Sequence, residues 1–220
     1  LHSFIMHRLL LFLSLLPLLA ALILRKFNAD RILKLSHVRE LSGDGAALAE
    51  RMLSSMGHEN TELRIKKREW AGAAASGDGW LALTPQLASG KSVADHGQVV
   101  LRVGLYFLSL RDPKSVARRR WALRFGHAFP IFTLVVCVFG LLVGKLPVMW
   151  VISIAMASLG VAACAQILTL TTNLQAQAMA AAVLEKKHTY PRLSDEELVI
   201  ASTRAWAWHS IVPGLISRLM

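Results

Sequence analysis

Cysteine is nearly absent from this chain: among 220 residues only Cys137 and Cys164 occur. Two thiols cannot make a disulfide framework or a paired-cysteine metal site. Both lie in apolar runs, where a small packing residue is the ordinary role. Aromatic residues make up 7% of the chain, and no basic patch is interleaved with them in the way nucleic-acid binders require. That removes nucleic acid as the explanation for the shortage of acids, 14 Asp and Glu against 25 Lys and Arg. A glycine-rich phosphate loop, an internal repeat and a low-complexity tract are also missing. The GDG at 77–79 and the GK at 90–91 match no nucleotide fingerprint and read as turns. The eight histidines stand at 2, 7, 37, 58, 96, 127, 188 and 209. None is three or four residues from another, so a helical histidine pair for a metal is excluded.

What the chain has instead is long uncharged stretches. A hydrophobic fraction of 54% is too high for an ordinary soluble domain, and the excess is concentrated in a few windows. Residues 9–24 carry no charge, and extension back to Phe4 reaches the ~20 residues needed to cross a hydrocarbon core. A cleaved signal peptide is the competing reading, but RKFNADR after the run offers no small-residue cleavage site, which favours an uncleaved span. Residues 129–144 and 147–172 form two more such runs, separated only by a short turn around Lys145. They predict an antiparallel membrane hairpin. The final segment, from SDEE at 194–197 onward, is apolar but contains Arg204, His209 and Arg218. It reads as a fourth, weaker span or as an interfacial helix with the SDEE at its capping start.

Charge places these spans. Between the first and second runs lie 18 Lys and Arg against 10 Asp and Glu. The basic excess makes that loop cytoplasmic, with the N-terminus on the opposite side of the membrane. The densest positive stretch, RDPKSVARRRWALRFGH at 111–127, immediately precedes the second run. Arg118, Arg119, Arg120, Trp121 and Arg124 are its candidate contacts, either as a solvated helix anchoring the span or as a site for anionic lipid headgroups.

Between the spans the chain reads as a small mixed α+β segment. SGDGAALAERMLSSMG at 42–57 has helical spacing and ends on a glycine. ELRIKKREW at 62–70 alternates, and GWLALTP at 79–85 is a short apolar run, so the two predict a hairpin or a pair of strands. SVADHGQVVLRVGLYFLSLR at 92–111 returns to helical spacing. The expected organisation is an N-terminal span at 1–26, a cytoplasmic segment at 27–125, a membrane hairpin with a helical extension at 126–187, and a membrane or interfacial helix at 188–220.

The order of these features resembles the neutral zinc membrane metallopeptidases of the YugP type. In that family the helix carries His-Glu-Val-Gly-His, and the corresponding stretch here is VVLRVGLYF. Leu101 and Leu105 then stand at the histidine positions and Arg102 at the glutamate, while Val103 and Gly104 match. In such a motif two imidazoles four residues apart hold Zn²⁺ and the glutamate is general base to the metal-bound water. Leucine has no lone pair to donate, and arginine is a permanent cation. The family's second motif begins Asn-Leu and supplies a glutamate as third ligand. Asn173 and Leu174 match it, but Gln177 replaces the glutamate. Asp78 is the one remnant of the acidic and histidine residues that precede the β segment.

The resemblance implies a zincin-like segment that has lost its ligands and base. The expectation is therefore a catalytically inactive homologue with no cofactor, acting as a scaffold or accessory subunit beside other membrane protein subunits. QAQAMAAA at 175–182 supplies a small-residue face for packing, whether against a partner or within the chain. Two alternatives stand: a membrane enzyme using other residues, such as His127, His209 or Asp78, and a lipid-binding protein using the 111–125 stretch. Arg102 is expected to pair with an acid such as Asp78 or Asp95, or to reach lipid headgroups.

Overall fold

The computed structural model describes residues 15–67, 76–77, 79–144, 146–213 and 216. Most of the expected first span falls outside these residues, as do Asp78 and Lys145. The molecule is mainly helical, with one small sheet. Residues 15–25 form α1, which passes through a π-helical turn at Lys26–Asp30 directly into α2, Arg31–Ser36. Next come α3 (Gly45–Ser55), β1 (Glu62–Ile65), β2 (Ser76–Gly77), β3 (Trp80–Leu83) and α4 (Pro85–Ser89). The long helices follow: α5 (Val93–Arg111), α6 (Pro113–Leu142), α7 (Val148–Ile167), α8 (Leu170–Lys187) and α9 (Leu193–His209).

The local starts follow from side-chain chemistry. Asp44 caps α3 by accepting from the Ala47 amide, and Thr84 caps α4 ahead of a proline in its first turn. Ser92 and Asp95 form a reciprocal capping box on α5, each satisfying the other's backbone amide. Asp112 does the same work for α6, accepting from the Ser115 amide at 3.2 Å, with Pro113 behind it. The expected cap of α9 differs. That helix begins at Leu193 without a side-chain cap, because its N-cap residue is Arg192, whose side chain has no acceptor, while Asp195 in the first turn is engaged by Arg39 at 2.5 Å. Asp195 and Glu196 act instead as negative charges in its first turn.

The sheet order is β1-β3-β2. β1 and β3 pair in parallel, with Glu62 opposite Trp80 and Ile65 opposite Leu83, so the two runs at 62–70 and 79–85 form a pair of strands and not a hairpin. The fourteen residues between them leave room for the chain to cross back before β3. The hairpin is a smaller one, β2 with β3, turned at Gly79 with φ 76°. β1 is largely exposed, whereas Leu81, Ala82 and Leu83 of β3 are buried against the helices.

α5 is the central element. Fourteen of its nineteen residues are buried, and α3, β3, α6, α8 and α9 all lie against it. One side, with Val99, Val100, Val103 and Tyr106, packs on Met52, Leu81, Leu83 and Leu184. Two glycines set the helix spacing. A Cβ on Gly97 would stand 2.5 Å from Ser202 Oγ of α9, and one on Gly104 would stand 2.2 Å from the Ala176 carbonyl of α8. Both helices therefore approach the α5 backbone more closely than any side chain would permit.

Among the described residues, two stretches are long and apolar enough to cross a membrane: Pro113–Leu142 and the nearly continuous Val148–Lys187. They form the expected antiparallel pair, α6 beside α7, with Gly126 admitting Gln166 at the crossing. The outer side of the pair carries exposed Phe132, Val135, Phe139 and Leu142. The division expected after residue 125 falls inside α6, which runs unbroken from the basic stretch into the apolar one. The last expected span corresponds to α9, whose Val199, Ala205 and Ala207 are buried against the α5–α8 body.

Candidate functional site

The middle of α5 and the start of α8 meet where the resemblance puts a metal centre. α8 crosses α5 at Gly104, with Ala176 and Ala180 in contact, so the Asn173–Gln177 stretch is brought beside the Leu101–Leu105 turn. Leu101 and Leu105 share a face, as residues four apart on a helix must. That face is filled: both leucines are buried in one apolar cluster with Leu108, Val116, Ala176 and Ala207. Gln177 is half-buried on α8, one residue from the crossing. The arrangement is an apolar seam between four helices, α5, α6, α8 and α9, with no donor set for a cation at its centre.

Arg102 points from the same turn toward the sheet. It is 6% exposed, and its guanidinium Nη1 donates to the Ala82 carbonyl of β3 at 3.1 Å. Asp95, one of its two expected acidic partners, is engaged with Ser92 in the capping box, its carboxylate accepting from the Ser92 hydroxyl at 2.6 Å. The other, Asp78, lies outside the described residues. A guanidinium on a buried strand carbonyl retains a charge-assisted hydrogen bond, which lowers its desolvation cost.

No protein-family model, curated protein or solved structure matches this chain. Its chemistry rests on what its own residues can do. Among the described residues no three His, Cys, Asp or Glu side chains come together to hold a metal ion.

The other candidate residues scatter. His127 lies on α6 and His209 at the end of α9, where its ring meets Trp206 edge-on at 5.0 Å. Cys137 is buried in α6 and Cys164 is exposed on α7. In the basic stretch, Trp121 is 63% exposed and Arg118 and Arg124 are exposed beside it, while Arg120 is half-buried. Arg119 departs from the expected lipid-facing set. It sits on the inner side of α6, 6% exposed, and its Nε donates to the Asn173 Oδ1 of α8. Asn173 in turn donates to the Ser210 hydroxyl at 2.6 Å. The asparagine of the Asn-Leu pair thus ties α6, α8 and the end of α9 together, and the reason is its amide, which both accepts and donates.

One polar group of the interior was invisible to spacing. His96, 1% exposed near the start of α5, shares a hydrogen bond with the Tyr190 hydroxyl at 2.8 Å. Burial holds the His96 pKa below its ordinary value, opposed by the Gly43 backbone, Asp95 and Asp44 and reinforced by Arg51. Burial likewise pushes the Tyr190 phenol up. Both rings are therefore neutral, and they fasten the turn between α8 and α9 to α5. Ninety-four residues separate them, and neither belongs to a motif.

Proposed function

We propose that the chain is a catalytically inactive homologue of the YugP-type membrane metallopeptidases, kept in a bacterial inner membrane as a scaffold or accessory subunit for larger membrane proteins. α6 and α7 cross the bilayer, and the segment from α2 to α5 together with α8 and α9 stays on the cytoplasmic side. One observation carries the reading. The positions that the resemblance assigns to two ligands and the base hold two leucines sealed by α8 and α9, and an arginine bonded to a strand carbonyl. A histidine pair needs lone pairs aimed into open space for a metal and its water; here aliphatic carbon fills that space. Gly104 supports the same reading from the opposite direction, because the glycine shared with the family motif has a packing duty that outlasts the chemistry.

The test is the composition and activity of the protein purified gently from native membrane. The expected result is a stable assembly with larger subunits, substoichiometric zinc, and peptide hydrolysis no higher with metal than with chelator. One zinc per chain, or hydrolysis that a chelator abolishes, overturns the proposal.

A further inference from the structure

We infer that the outer face of the first half of α6 binds the headgroups of anionic phospholipids. The inference rests on the proposal that α6 spans the bilayer. Lys114, Arg118, Trp121 and Phe125 follow one another at intervals of four, three and four residues, so they lie along one side of the helix. Arg124 flanks that side. All are exposed except Phe125, which is half-buried in the stack that runs from Trp121 through Phe125 to Phe129, with ring centroids 5.1 and 4.9 Å apart.

The same side continues into the bare apolar half of the helix at Phe132, Val135, Phe139 and Leu142. At about 1.5 Å per residue, Trp121 and Leu142 stand ~32 Å apart along the axis, the depth of a hydrocarbon core of about 30 Å. Trp121 then lies at the interface, where aromatic residues collect, and Arg118 and Lys114 lie beyond it at the depth of the phosphates. Arg124, just inside, has a side chain long enough to reach the same level.

Charge selects the headgroup. No acid occurs anywhere in the thirty residues of α6. The nearest one along the chain, Asp112 at the cap, is held by the Ser115 hydroxyl and amide. Arg119, the inward member of the basic stretch, is bound to Asn173 and takes no part. A cationic rim above a lipid-length apolar side fits a negatively charged lipid surface.

The test uses the full chain reconstituted into vesicles of phosphatidylcholine alone and into vesicles containing phosphatidylglycerol as well. Retained lipid is counted after detergent exchange, and insertion is followed by resistance to alkaline extraction. The expected result is insertion into both vesicles, with phosphatidylglycerol retained in preference. Each juxtamembrane cation removed should weaken that preference about fivefold, so a Lys114→Gln, Arg118→Gln double variant should lose about 25-fold. Added salt should erode it in the wild type. Equal retention of the two lipids, or a preference that the double variant keeps, overturns the inference and leaves the spanning role of α6 intact. Alkaline extraction from both vesicles overturns the membrane proposal itself. A dimer in phosphatidylcholine that the double variant dissolves identifies a second copy as the occupant of this face, and also overturns the inference.

Discussion

At the scale of single residues, the buried pair of His96 and Tyr190 is neutral on both sides, and the cost of breaking it makes it testable. The Tyr190 hydroxyl is the partner of a nearly inaccessible His96 nitrogen. Tyr190→Phe keeps the ring and removes the partner, leaving a buried nitrogen unsatisfied at a cost of about 1–3 kcal/mol. Chemical denaturation of the detergent-solubilised chain should register that loss. The pH dependence has a definite sign. The folded-state pKa of His96 lies below its ordinary value of 6.5, so the unfolded chain takes up the proton first as pH falls. Stability from this residue is full above 6.5 and declines below it, since Asp95 and Asp44 only partly offset the burial. In His96→Gln the decline over that acid range should flatten; a slope identical to the wild type would assign the acid sensitivity elsewhere. Nothing in the sequence announced this pair. The histidine pattern excludes a helical metal site, but periodicity cannot reveal that a tyrosine ninety-four residues away closes on one of the rings.

At the scale of elements, the positions of the helices were largely legible, and apart from the α6–α7 hairpin their partners were not. The capping box at Ser92 and Asp95, the Pro-led start of α6 and the glycine after α3 are local chemistry, readable from a few neighbouring residues. Strand pairing is not local. Alternation at 62–70 and the apolar run at 79–85 mark two strands, yet a parallel or antiparallel partner depends on where the intervening chain travels. Likewise the basic stretch reads as one cluster, while the helix turns Arg119 away from its neighbours to meet Asn173. Helical phase separates the two roles, and phase could have been counted from the sequence. Gly104 offers the sharpest test at this scale. Its missing Cβ lets the Ala176 carbonyl approach to 2.2 Å of the position that atom would occupy. Gly104→Ala must push α8 off α5, and overpacking of this kind costs about 1–3 kcal/mol. An exposed helical position would respond to the same substitution with a small gain, because alanine is the better helix former. A lowered thermal midpoint therefore reports the crossing, and an unchanged or raised one would mean that the two helices do not approach at this point.

For the whole molecule, topology joins the charge distribution to the hairpin. α6 and α7 run antiparallel, so the segment before α6 and the segment after α7 emerge on one side if both helices cross. Under the proposed topology, the basic excess in the first of these segments predicts that this side is the cytoplasm. Lys67 follows β1 and Lys187 ends α8, and both are exposed. In a variant with Cys137 and Cys164 changed to alanine, a cysteine placed at either lysine reports the side directly. With a membrane-impermeant maleimide, Lys67→Cys and Lys187→Cys should both label in inside-out vesicles and both stay protected in right-side-out ones. The reverse pattern at both sites would keep the hairpin and invert its orientation, which would show that the charge rule fails across a loop this long. Labelling from opposite sides would mean that only one of the two helices crosses. Then α8, tied to α6 through Asn173 and to α5 through Gly104, could not rest where it does. The hairpin and the packed body beneath it thus stand or fall together, because the residues that join them are the buried ones.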